Sequence, residues 1–453
     1  MKLTRIVYTV FVCHTLFAQT VSDYSATTNA IIKASLKDSA TYDRLSELCD
    51  TFGPRFSGSK NLEDAIDWIL NEMKNDNLDN VHAEGVLVPH WVRGEESAEL
   101  MVPHRKNLNM LGLGGSISTP RTGICAEVLV VKDFNELEER KAEAKGKIVL
   151  FNAEFTSYGK TVQYRYSGAS EAAKVGAVAS LIRSVGPYSM DTPHTGVMKY
   201  EDGVRKIPHA AITVEDAMML QRMQDRGQKI VVKLKMSAKM FPDAKSRNVI
   251  AEIRGSEKPE EIVVIGGHID SWDVGQGAMD DAGGCMVAWD ALNVIQSLGL
   301  KPKRTIRCVL WTNEENGLGG GKAYRDAHLD ELPNHILAVE SDGGVFAPEG
   351  FGFTGSPKAL EIIREIGTLL EPIGAGTIKV GGGGADIGPM KPFGVPQAGL
   401  HVEGSKYFWF HHTNADMMDK LDPQEVNKCK AAMAVLAFIV ADMPERLPRV
   451  KKE

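Results

Sequence analysis

The sequence predicts an α/β fold: a mostly parallel, mixed sheet covered by helices on both faces, with a second domain of mixed strands and helices inserted into it. Three observations predict it. From Ser246 onward, short apolar runs alternate with helical spacings, the pattern of parallel strands joined by crossover helices. Three of those runs end in acidic or imidazole side chains, which puts that chemistry at one carboxyl edge of the sheet. Between about 99 and 245 the texture changes to short strands and turns that carry none of those side chains. At 453 residues the chain exceeds the usual size of a single domain, as one large domain with an insertion would.

Taken in order, 1–18 has Lys2 and Arg5 ahead of an apolar run from Ile6 to Ala18, the layout of a secretory signal peptide, the alternative being an amphipathic or buried first helix. That run is too short to cross a bilayer comfortably, and no later stretch reads as a membrane span. Residues 19–37 are rich in Ser, Thr, Ala and Lys without a sustained period, and read as a mobile segment or propeptide. The first part of the main domain, 38–98, holds two helical spacings separated by Gly53-Pro54, then a strand over Val81–Val92. The insert, 99–245, has strands at Ala126–Val131, Lys147–Phe151, Val178–Ile182, Ala210–Val214 and Lys229–Lys235, with helices at Ser170–Val175 and Glu215–Met223. Its His194 and His209 read as surface or packing residues. The second part, 246–453, has strands at Val249–Ile253, Ile262–Ile265, Thr305–Trp311 and Ile336–Val339. Helices follow at Gly283–Leu298, Gly320–Ala327, Pro357–Leu370 and Pro423–Ala441.

Composition excludes more than it assigns. Hydrophobic residues are 43%, charged residues 25%, and the net charge of -7 is spread without long like-charge runs, so nothing points to nucleic acid. The cysteines are widely scattered, and removing the leader takes Cys13 and leaves an odd set, so no disulfide is expected. No N-x-Ser/Thr acceptor occurs.

The chemistry begins at Gly266–Asp281, G-G-H-I-D-S-W-D-V-G-Q-G-A-M-D-D. His268 offers an imidazole, Asp270 is placed to fix that ring's tautomer, and Asp280 and Asp281 set two carboxylates side by side. The strand Thr305–Trp311 ends in T-N-E-E-N-G. Adjacent carboxylates at a strand end point in different directions, so one of Glu314 and Glu315 can bind metal while the other serves as general base. The next strand ends in Glu340-Ser341-Asp342, and carboxylates clustered at one edge repel unless cations lie among them. F-H-H-T-N-A-D adds His411, His412 and Asp416. Two zinc ions balance Asp280, Glu315, Asp342 and a bridging hydroxide, with His268 and His412 neutral, as a buried site requires.

Together these motifs resemble those of the co-catalytic di-zinc peptidases that include bacterial aminopeptidases and glutamate carboxypeptidases. G-H-I-D-S-W-D-V-G-Q-G-A-M-D-D, W-T-N-E-E-N-G, E-S-D-G-G and Y-F-W-F-H-H-T-N-A-D occur in that family's order, and V-Q-Y-R-Y-S-G-A-S-E-A-A-K-V-G-A in the insert is similar too. The resemblance covers about Asp38 to Pro448. It implies one zinc on His268 and Asp342, the other on Glu315 and His412, and Asp280 bridging both. Glu314 is then the base, Asp270 orients His268, and Asp281 follows Asp280 through a cis peptide. His412 is selected over His411 by the match to H-T-x-x-D. The insert resembles the family's protease-associated domain, and a homodimer is implied.

The function expected is a secreted di-zinc exopeptidase acting on unblocked dipeptides and short peptides as a carboxypeptidase or dipeptidase. Its compartment is extracellular or lysosomal, or periplasmic in a bacterium. An aminopeptidase on the same site is the alternative, with Asp386 and Tyr407 as candidates for reading a chain end. A non-catalytic receptor-like ectodomain needs missing ligands, and none is missing; a single-zinc acyltransferase or cyclase needs a depleted ligand set.

Overall fold

The computed structural model describes residues 20–450. The leader expected at 1–18 lies outside the described residues. Two eight-stranded sheets organise the chain.

The first sheet carries the chemistry. Its centre is four parallel strands in the order Arg304–Trp311, Lys258–His268, His335–Glu340 and Gln397–Val402. Antiparallel Lys239–Ile253 and then Asp79–Val92 extend one side; Pro348–Thr354 and Thr377–Val380 extend the other. The central strands are buried on both faces, which is why they read as unbroken apolar runs. Alternate residues still divide between two cores. Val263, Ile265, Ile306 and Cys308 pack with the helices Gly283–Ser297 and Pro423–Asp442. Ile262, Val264, Val309 and Trp311 face Tyr324, Leu332 and Met390. The Pro423–Asp442 helix starts where Asp422 accepts the backbone N–H groups of Gln424 and Glu425, and it is apolar nearly all round because helices and sheet enclose it.

The expectation of a mobile segment at 19–37 is corrected: Ser25–Lys37 is a helix with Ile31 and Ile32 in the main core, packed against Pro423–Asp442. Its period is hard to read because small polar residues fill the positions between the two isoleucines and their neighbours.

The second sheet takes strands from Glu96–Val102 to Val231–Met236, so it starts and ends a few residues before the expected limits of 99 and 245. Ile124–Val131, Ile148–Phe151, Ala179–Arg183 and His209–Ile212 run parallel in it. The helix expected at Ser170–Val175 is instead Tyr158–Lys174, and its added turns reach the first sheet's carboxyl edge. His194 and His209 are buried packing residues, and Cys49, Cys125, Cys285, Cys308 and Cys429 are unpaired. No described helix is long and apolar enough to cross a membrane.

Candidate metal centre

Parallel pairing sets His268 level with Trp311, and Gly266 level with Glu340, so the loops beginning at Ile269, Thr312 and Ser341 leave the sheet together. Close packing there needs glycine. A Cβ on Gly267 would lie 2.4 Å from Asp281 Oδ2, and one on Gly284 2.0 Å from the Ser341 carbonyl. Without those glycines the Asp280–Asp281 turn has no room beneath the strand ends. The Asp280–Asp281 peptide is cis.

The seven residues expected as zinc ligands, base and orienting acid, His268, Asp270, Asp280, Glu314, Glu315, Asp342 and His412, converge here. His268 Nε2 lies 3.3 Å from Asp342 Oδ1 and 3.3 Å from Asp280 Oδ1. His412 Nε2 lies 3.0 Å from Glu315 Oε2 and 3.4 Å from Asp280 Oδ2. Asp280 thus faces both imidazoles, one through each oxygen. Two donors each about 2.0–2.1 Å from a tetrahedral ion stand about 3.3 Å apart, so both groups of donors have the spacing of a zinc site. Asp280 Oδ2 and Glu315 Oε1 are buried and have no hydrogen-bond partner. Burial, then the charge of Asp280, pushes Glu315 up to about 7, and burial with Asp342 and Glu315 pushes Glu314 well above the usual carboxylate range. A cation among these acids reverses that direction, so the donor set fits zinc.

Two further side chains come within reach. Donor atoms of Asp280, His411 and His412 lie within 4.8 Å of one another, as do those of His268, Asp281 and Asp342. Asp281 is already engaged, accepting the His268 and Gly284 backbone N–H groups. His411 stands 3.7 Å from Asp280 and stacks on His412, whereas His412 approaches both Asp280 and Glu315. Geometry therefore favours His412 as the donor.

Asp270 behaves differently from expectation. His268 Nδ1 lies 2.9 Å from the Asp270 backbone carbonyl and 3.7 Å from its carboxylate, so the ring is oriented by the main chain. The carboxylate instead accepts the Glu314 N–H at 3.0 Å and the Glu315 N–H at 3.4 Å, which sets the turn that splays those two side chains apart. Asp416 similarly accepts the N–H groups of Met279 and Asp280. Sequence reasoning passed over Arg55, which is fully buried and donates to the carbonyls of Ile269, Gln276 and Gly277, bracing the loop between His268 and Asp280. Its only sequence signal is an arginine just after Gly53-Pro54.

A cavity of about 750 Å³ opens over the cluster. Glu314, Glu315, Asp342 and His412 form its floor; Tyr407, Leu400 and Val402 line one side; Tyr158 and Arg165, on the Tyr158–Lys174 helix, and Val197, in a loop, come from the domain built on the second sheet. Arg165 was not picked out from sequence. It is 4% exposed, donates to the Thr195 carbonyl at 3.3 Å and the Tyr158 hydroxyl at 2.7 Å, and its Nε has no partner. Tyr407 lines the cavity as expected of a substrate-reading residue, but Asp386 does not: it is fully buried behind the floor, beside Glu340.

The family model described as Peptidase family M28 matches residues 248–437. Carboxypeptidase Q of Mus musculus is 51% identical over 432 residues, which is 95% of this chain and 92% of that one. The crystal structure of a peptidase M28 precursor from Shewanella amazonensis is 35% identical and superposes with a TM-score of 0.92, covering 96% of this chain and all of that one. A zinc aminopeptidase from Bacillus subtilis, 22% identical, has the same fold, with a TM-score of 0.67 over 89% of this chain and 95% of that one.

Proposed function

This chain belongs to peptidase family M28 and is a zinc metallopeptidase acting on peptides, and from that premise we propose that it is a secreted di-zinc carboxypeptidase or dipeptidase. His268 and Asp342 would hold one zinc and Glu315 and His412 the other, with Asp280, which faces both imidazoles, shared between the two sites. The zincs, when bound, supply Lewis acidity that lowers the pKa of a water toward neutral and offsets charge building on the scissile carbonyl oxygen. Glu314, on the cavity floor, takes the proton from the attacking water and returns it to the leaving amine. Asp270 fixes the direction of that carboxylate through the Glu314 N–H. The second sheet is the protease-associated domain, and it roofs the cavity with Tyr158, Arg165 and Val197.

The observation that carries the polarity is Arg165. A buried guanidinium that lines the cavity, pairs with no carboxylate among the described residues and keeps Nε free is suited to a substrate carboxylate. Asp386 is not among the cavity's lining residues, and among the described residues the acids that line it are Asp280, Glu314, Glu315 and Asp342, all of the metal cluster. The mouse carboxypeptidase Q is consistent with that direction. Export rests on the leader-like 1–18, and a homodimer on the resemblance alone.

Hydrolysis of a panel of free and end-blocked dipeptides, with zinc counted on the same sample, tests the reading. Blocking the carboxyl end should lower kcat/KM by roughly 10-fold or more, and Arg165→Gln should impose a similar loss on free dipeptides but not on carboxyl amides. Efficient cleavage of a free-amine, carboxyl-blocked anilide, unaffected by Arg165→Gln, identifies an aminopeptidase instead.

A further inference from the structure

His412 sits in the left-handed backbone region, with φ at 59°, which a residue other than glycine keeps only where its surroundings over-determine it. What determines it comes from the inserted domain. The His412 carbonyl accepts the Thr195 N–H at 2.9 Å. Thr195 is fully buried, and its hydroxyl donates to the Gly112 carbonyl at 2.9 Å and accepts from Arg93 Nη2 at 3.3 Å. Arg93, itself 8% exposed at the junction of the two sheets, also donates to the Gly112 carbonyl and grips Asp273 with a fork, Nε to Oδ2 at 2.8 Å and Nη2 to Oδ1. Asp273 directly follows Trp272, whose ring centre lies 5.4 Å from that of His412. One guanidinium therefore reaches His412 twice, at its backbone through Thr195 and at its ring through the Asp273–Trp272 turn.

We propose that Arg93 is a positioning residue which, through Thr195 and the Asp273–Trp272 turn, holds His412 in the orientation that receives zinc. The inserted domain then completes the metal centre as well as covering it. The inference rests on His412 being a zinc ligand. A planar fork that meets a carboxylate, a carbonyl and a hydroxyl at once is not reproduced by an ammonium, so lysine should fail at this position. Partners bonded directly to a ligand typically change metal affinity or activity by roughly 10–100-fold, and Arg93 stands one residue further out than Thr195, so the lower end of that range is expected of it.

The test uses the full zinc-loaded chain and four variants: Arg93→Lys, Asp273→Asn, Thr195→Val and His412→Ala. For each, zinc affinity is measured by chelator competition, the ligand field by the visible spectrum of the cobalt-substituted protein, and kcat, KM and melting temperature alongside. His412→Ala should lose one zinc. Arg93→Lys and Thr195→Val should weaken one zinc by roughly 10–100-fold, shift the cobalt spectrum, and lower kcat more than they raise KM. A contact that merely joins the domains would lower the melting temperature and leave the spectrum and zinc affinity alone, and that result overturns the proposal. If Arg93→Lys does not fold, Thr195→Val and Asp273→Asn decide it, since each removes one route. Retention of both zincs by His412→Ala would instead overturn the ligand assignment beneath it.

Discussion

Glu314 and Glu315 are chain neighbours for which opposite duties are proposed, and the difference in where they point comes from where Asp270 holds their backbone. With its N–H on Asp270, Glu314 looks into the cavity while Glu315 turns to His412. Glu314→Gln should therefore keep zinc bound and lose roughly 10²–10⁴-fold in kcat, checked by turnover and metal content on one preparation. Asp280→Asn should lose the metals as well as turnover, because one neutral amide cannot offer a charged oxygen to both zinc sites. The expected result is zinc loss and a lower melting temperature; an Asp280→Asn protein with two zincs and native stability would end the bridging assignment. The acids of this centre were legible because strand ends and residue types announce them. That Asp270 acts on the Glu314–Glu315 turn and not on the His268 ring was not legible, since two hydrogen-bonding options at the same spacing differ only in three dimensions.

At the scale of elements, the helix Ser25–Lys37 shows where pattern reading fails. A composition of serine, threonine and alanine looks like a mobile leader, yet Ile31 is fully buried against the Pro423–Asp442 helix, contributed by the far end of the chain. Ile31→Ala should destabilise the fold by about 2–5 kcal/mol in urea titration. A change near zero would restore the mobile reading. The helix Tyr158–Lys174 was under-read for the opposite reason. Its first turns carry Tyr158, Arg165 and Tyr166, polar and aromatic residues chosen for the cavity, so the apolar period that marks a helix is absent just where the helix does its chemistry.

For the whole molecule, pH acts through histidines far from the metals. His209 is fully buried among the carbonyls of Ser180, Tyr164 and Arg165, and burial pulls it down to about 4. His335, bonded to the Tyr324 hydroxyl and the Glu331 carbonyl, is also pulled down to about 4 by burial. Unfolded, both titrate near 6.5, so as pH falls below about 6.5 the unfolded chain gains protons that the native fold refuses. Their contribution is complete above that pH and is lost on the way down to about 4, at about 1.4 kcal/mol per histidine per pH unit. Denaturant titrations at pH 7.5, 6 and 5 should show this fall, and stability held constant to pH 5 would remove both histidines from the account. Chelation tests the metals at this scale: removing zinc leaves buried Asp280 and Glu315 and half-buried Asp342 clustered, so the melting temperature should drop and recover with added zinc.

The alternation of apolar runs, helical spacings and acid-tipped strand ends was enough to determine the parallel sheet and the edge at which its acids and imidazoles gather, because period and residue chemistry are local properties of the chain; the separate assignments of Glu314 and Glu315, and of His411 and His412, came from the family resemblance. Tertiary structure alone decided the rest. Arg55, Arg93 and Thr195 lie in segments with no motif of their own, and Arg165 in a motif that assigns it no role; each meets backbone or side chains 30 to more than 200 residues away. Long-range contacts between a guanidinium and a carbonyl leave no periodic trace, so only the folded chain shows that Arg55 braces the loop between His268 and Asp280, that Arg93 meets Thr195 and Asp273, and that Arg165 lines the cavity.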